Sequence, residues 1–121
     1  MLTFSQFLNE KVDDSYHYHV THSKHLKSIQ KHGLKNTTGI GSYFERKEKD
    51  THLWTHKGAA LLRVKTKHIP HRKYEGEGIS TTNNTIPTHH LEIKDKQGNW
   101  KNLHKHDLKD RHTPSVPTYN K

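Results

Sequence analysis

The chain contains no cysteine, so disulfides and thiolate metal sites are excluded, and cysteine usage leaves the cellular compartment open. Apolar residues are scarce as well. They make up 27% of the 121 residues, against about 45–50% (on a slightly different residue set) in ordinary globular chains. A core built from so little is small, and its stability is expected to be marginal, with a bound ligand or partner supplying part of it. No apolar run approaches the roughly 18 residues of a membrane span, and the N-terminus lacks the apolar region of a signal peptide. A cytoplasmic protein with no membrane partner is the expectation. Acidic residues are also few: 12 Asp and Glu stand against 21 Lys and Arg, a formal charge of +9 with histidines neutral. Fourteen histidines add to that charge as pH falls through about 6.5. Such a balance points to polyanions or phosphate-bearing ligands as partners.

What is present is organised around Tyr16 to Leu34. Tyr16, Tyr18 and Val20 alternate with His17, His19 and Thr21, the period of two of a β-strand. One face is apolar; the other offers two imidazoles and a hydroxyl. Ser23 is placed to cap a helix that shows Leu26 and Ile29 on one side, and Gly33-Leu34 fits a Schellman ending. Upstream, Thr3-Phe4-Ser5-Gln6 is a capping-box pattern, and a helix from about Ser5 to Lys11 forms an N-terminal amphipathic segment, 1–15.

Downstream, Lys35 to Gly41 reads as a loop, Ser42-Tyr43-Phe44 as a short strand, and Glu45 to Asp50 as a solvated charge run. Asp50 caps a short helix, Thr51 to Lys57, with Leu53 and Trp54 buried and Gly58 as terminator. Ala59 to Val64 is the most apolar run and suits a central strand. Pro70 forbids its continuation. Glu75-Gly76-Glu77-Gly78 is a flexible turn entering a polar strand, Thr81 to Thr85 a turn, and Ile86-Pro87 the start of a helical turn. Leu91 to Lys94 alternates like a strand and returns through a hairpin at 95–99 to Trp100–Leu103. Residues 16–104 therefore form one domain. From 105 to 121 apolar content collapses, which predicts a mobile basic tail. The fold class expected is α+β, a mixed or antiparallel β core with short helices.

In this order the segments resemble small ADP-ribosyltransferase-like domains. "YHVTH…HLKSIQKHGL" is similar to their first motif, a Tyr-His-x-Thr strand followed by a Leu-x-x-Ile-x-x-x-Gly-Leu helix. "SYF" resembles the second, "HLWTH" the helix after it, "ALLRV" a central strand, and "TIPTHHLEI…GNWKNL" the closing turn, strand and hairpin. The resemblance covers roughly 16–103. It implies NAD as ligand, with His19 bonding the ribose, Thr21 supporting it, and Ser42 and Tyr43 beside the nicotinamide. It also implies a catalytic carboxylate before the Ile-Pro turn, for which Glu77 is the first candidate and Glu75 the second; neither sits in a recognisable motif. Cleavage of the nicotinamide–ribose bond passes through an oxocarbenium-like state, so ribose anchoring, ring orientation and a nearby carboxylate are what the chemistry needs. The acceptor, protein or nucleic acid, is open. The opening "TFSQFLNE" resembles the start of many small proteins of large tailed phages, which implies a host cytoplasm or virion location.

The same residues carry blander readings. Tyr43 and Phe44 serve equally as core, Trp54 and Trp100 as core anchors, and His17 as support for His19. His22 and His25, His52 and His56, and His89-His90 have spacings found in metal sites. The first two pairs lie among lysines that repel a cation, and no His-Glu-x-x-His occurs, so no metal is expected. A two-histidine phosphoesterase requires two His-x-Thr motifs, and only His19-Val20-Thr21 qualifies. The alternative class is a non-enzymatic basic module that binds nucleic acid or joins a larger protein assembly.

Overall fold

The computed structural model describes residues 15–36, 42–54 and 56–108. The expected N-terminal helix, the 37–41 part of the loop and residues 109–121 of the expected tail lie outside them.

The alternating segment forms β1 (Tyr16–His22), which pairs antiparallel along its whole length with the apolar run, β4 (Ala59–Lys65). β4 continues to β8 (Leu91–Lys94) and β8 to β9 (Trp100–Asn102), giving a four-stranded antiparallel sheet in the order β1-β4-β8-β9. Among the described residues two smaller antiparallel sheets accompany it. One pairs β2 (Leu34–Asn36) with β7 (Asn84–Ile86). The other sets β6 (Gly78–Thr81) between β3 (Ser42–Phe44) and β5 (Lys73–Glu75). The class is thus α+β, built mostly of antiparallel sheets with few short helices.

Residues opposed across an antiparallel ladder share a face. His17 faces Val64 and His19 faces Leu62, and both partners belong to the main core with Leu26, Ile29, Phe44, Ile79 and Ile93. The imidazole face of β1 is therefore turned inward. The apolar residues Tyr18 and Val20 join Ala59, Leu61 and Trp100 in a smaller outer cluster. Fully burying a Leu or Ile contributes about 1.5–3 kcal/mol, so the few side chains of the main core carry most of the stability.

The helix after β1 starts as a 3₁₀ turn, Ser23–His25, and continues as α1 (Leu26–His32). Its cap is not Ser23: the His22 Nδ1 accepts from the Lys24 N–H at 3.0 Å. α1 buries Leu26 and Ile29. Its ending departs from the Schellman form, because Gly33 takes φ +86° and ψ 173° and leads directly into β2. β2 and β7 replace parts of the segments expected as loop and turn, since Leu34 and Ile86 supply buried partners.

The segment after β3 also differs. It is a 3₁₀ helix over Glu48–Trp54 that begins inside the expected charge run. Thr51 is buried, its hydroxyl donating to the Glu48 carbonyl at 2.6 Å. Leu53 and Trp54 are 69% and 51% exposed, contrary to expectation. The tighter 3₁₀ turn brings Thr51, not the apolar pair, against the body. Glu48 is not merely solvated, because it ion-pairs with Lys94. At the other end the fold extends past 105: the Gln30 amide donates to the Leu103 and His106 carbonyls at 2.9 and 2.7 Å, and Leu108 packs on the core.

Gly33 is needed twice over, for its positive φ and because a Cβ there would sit 2.6 Å from the Ile86 carbonyl oxygen. Gly33→Ala is expected to lower the unfolding free energy by about 1–3 kcal/mol. Gly76→Ala, at φ +64° with open space around it, should lose about 1 kcal/mol, the backbone strain alone, and less than Gly33→Ala. Urea unfolding of the two variants checks this, and equal losses would contradict the close-approach argument.

Candidate functional site

The site begins where two sheets part. Beyond its ladder with β4, β1 makes one further bridge: Tyr18 N–H donates to the Glu45 carbonyl at 2.8 Å, and Glu45 N–H to the Tyr18 carbonyl at 2.7 Å. Two residues back, the Tyr43 carbonyl accepts from the His19 side chain, with Nδ1 at 2.9 Å. The imidazole sits in the fork and packs on Phe44, ring centroids 5.0 Å apart. A carbonyl only accepts, so Nδ1 carries the proton. Removal from water holds the ring below its ordinary pKa, against the opposing effect of that hydrogen bond. His19 is accordingly neutral at pH 7, and its Nε2 is an acceptor.

Strand alternation sends the Tyr43 side chain to the opposite face from Phe44 and His19. Its ring lies 6.1 Å from that of Trp54, and its hydroxyl donates to the Glu75 carbonyl at 3.4 Å. It passes over Gly78, where any Cβ would overlap it. Ser42, Tyr43, Glu75 and Ser80 line a hollow of about 480 Å³, and the Ser80 hydroxyl donates to Glu75 Oε2 at 2.6 Å.

A second hollow, of about 410 Å³, opens on the inward side between β1 and the β5–β6 turn. Ser15, His17, Arg46, Thr66, Tyr74 and Glu77 line it. β1 presents His17 there because it shares the inward face with His19. Arg46 follows directly on the bridge residue Glu45, and Tyr74 and Glu77 come from the hairpin. The Thr66 hydroxyl lies 2.7 Å from both His17 Nδ1 and the Ser15 hydroxyl. Arg72 donates to the Thr66 carbonyl at 2.8 Å, which holds that turn in place. Burial first, then the charges of Arg46 and Arg72, push the His17 pKa down to about 4. Glu77 is 64% exposed and 3.9 Å from Lys47. Together these groups offer a cation, an uncharged imidazole, a phenol and a carboxylate around one space.

The residues expected from sequence are thus divided. Glu77 shares a hollow with His17; Ser42 and Tyr43 share another with Glu75; His19 lies in the fork between the sheets. Thr21 stands opposite Ala60, on the inward face of β1 but towards its far end. Sequence reasoning gave His17 a supporting role and did not single out Arg46 or Tyr74. The two-residue step from His19 to His17 was the signal for the first, and the position of Arg46 after the Ser42-Tyr43-Phe44 motif a weaker one. Tyr74 had none.

Among the described residues no group of three or more His, Asp or Glu is arranged to hold a metal ion, and no helix is long and apolar enough to cross a membrane. No protein-family model, curated protein or solved structure matches the chain.

A buried neutral histidine has a signed consequence. The unfolded chain binds a proton at His17 near pH 6.5, while the folded chain resists until about pH 4. Below pH 6.5 the unfolded state therefore holds more protons, and stability falls as pH falls towards 4. At pH 5 the loss from His17 alone is about 2 kcal/mol. Urea midpoints at pH 7.5 and pH 5 should show that loss, and His17→Asn should show a smaller one. An unchanged acid loss in the variant would contradict the assignment.

Proposed function

We propose that this chain is a small NAD-binding domain of ADP-ribosyltransferase type, working in the cytoplasm, whose ligand occupies the hollow between β1 and the β5–β6 turn. The observation that carries this reading is that His17, Arg46 and Glu77 line one space. Each supplies something the reaction requires. Arg46 is a guanidinium for the pyrophosphate, which it matches in charge and fork geometry. His17, neutral at pH 7 and lining the hollow, presents an imidazole to a ribose hydroxyl, and His19 supports it from two residues along the same face. Tyr74, 57% exposed, offers a ring face to the nicotinamide.

NAD supplies the bond to be broken: the nicotinamide nitrogen leaves with the bonding pair, and a nucleophile of the acceptor joins the ribose carbon. Glu77 then has two tasks. Its charge stabilises the cationic ribose as the bond breaks, and its oxygen takes the proton of the attacking acceptor. Within this arrangement Glu75, tied to Ser80 and lying beside Tyr43, braces the hairpin that carries Glu77. Ser42 and Tyr43 act through that hairpin rather than on the nicotinamide.

NAD at millimolar concentration should raise the melting temperature, and nicotinamide release should be measurable by chromatography. Glu77→Gln should reduce release about 100-fold or more while keeping the thermal shift, and Glu75→Gln should retain most of the activity. Absence of both shift and release would overturn the reading. Full activity in Glu77→Gln with loss in Glu75→Gln would move the carboxylate to the other hollow.

A further inference from the structure

The outer face of the four-stranded sheet has no part in the function proposed above. It carries Tyr16 and Tyr18 from β1, Arg63 and Lys65 from β4, Glu92 and Lys94 from β8, and Trp100 and Asn102 from β9, as the strand register requires. The Arg63 guanidinium lies 4.0 Å from the Tyr16 ring centre and 4.4 Å from that of Trp100. Its Nε donates to Glu92 at 2.5 Å, which fixes its plane. Tyr18 packs against Trp100 at 5.9 Å. A run of flat, partly exposed groups therefore crosses three of the four strands.

This face continues at one end into a hollow of about 180 Å³, lined by Tyr16, Lys65, Lys67, His68, His89 and His90. The acid that also lines it, Glu92, is already engaged by Arg63. The His68 and His90 rings stack face to face at 3.7 Å, which adds another flat surface beside the two lysines. The other acid bordering the face, Glu48, is paired with Lys94.

We propose that this face and its end hollow bind single-stranded nucleic acid. Unstacked bases have flat π-faces that pair with aromatic rings and guanidinium planes. The excess positive charge at the hollow complements a phosphodiester. A duplex hides its bases and is read by an element that enters a groove; among the described residues this surface is a sheet face with no such projection. The site is separate from the inward hollow because Tyr16 and His17, neighbours in sequence, point to opposite faces of β1.

The test uses the full chain and a fluorescently labelled 12-nucleotide oligouridine or oligothymidine, read by anisotropy. Binding is expected at 50 mM salt and should weaken steeply by 200 mM. Lys65→Glu with Lys67→Glu should weaken binding at least about 10-fold more than Lys24→Glu with Lys27→Glu, which changes net charge equally on exposed positions of the helix segment. Trp100→Leu should lose about 10-fold or more and Trp100→Phe much less, with circular dichroism confirming that both are folded. No binding at 50 mM salt would overturn the proposal. So would equal losses from the two charge reversals, which would reduce the attraction to net charge, or tighter binding to a duplex of the same length.

Discussion

β1 has two edges and, among the described residues, only one full partner, and much else in the molecule follows from that constraint. β4 satisfies one edge along seven residues. Among the described residues the other edge finds backbone partners only at Glu45, after which the chain on that side diverges. Buried backbone groups left without partners cost free energy comparable to a lost hydrogen bond, so the divergence must be bridged. It is bridged by a side chain, the His19 imidazole on the Tyr43 carbonyl. The sheets can therefore separate without abandoning that carbonyl, and space opens beside the fork.

The same constraint explains why histidines, rather than tyrosines, face the interior. The fork needs a side chain that donates a hydrogen bond while packing flat on Phe44, and an imidazole does both. Next to it His17 is satisfied by the Thr66 hydroxyl, and burial first, then the charges of Arg46 and Arg72, keep it uncharged. A chain this poor in apolar residues extends its core with neutral imidazoles and threonines such as Thr51, Thr66 and Thr81, which are almost fully buried. Stability then depends on pH, because each buried imidazole is dry only while it is uncharged. The outer face faces the opposite demand: with Tyr16, Tyr18 and Trp100 only half buried, Arg63 and Lys94 spread over the rings.

Much of this fold was legible because periodicity and glycine placement are local properties. β1, α1, β4, β8 and the β8–β9 hairpin follow from alternation, from the Leu26/Ile29 spacing and from the turn at 95–99. What could not be read was decided by distant partners. Leu34–Asn36 becomes a strand because Asn84–Ile86 is there to pair with it, 50 residues on in register terms. Leu53 and Trp54 read as buried because they are apolar, yet Trp54 turns outward to donate from its indole to Glu45 at 2.7 Å. The site was half legible. The motif pointed to His19 on β1, and Glu77 was named without a motif; His17 shares the inward face with His19, and which of the two lies beside a hairpin some 60 residues away is set by how the sheets pack.

The central claim is that the inward hollow at His17 and Glu77 is a nucleotide site. The most direct measurement is a titration of the histidine ring signals by NMR as NAD is added at pH 7.5. The account predicts that His17 and His19 shift in a saturable way, while His68, His89 and His90 on the far side of the sheet do not move. Shifts confined to the surface histidines, or none at millimolar NAD, would contradict it.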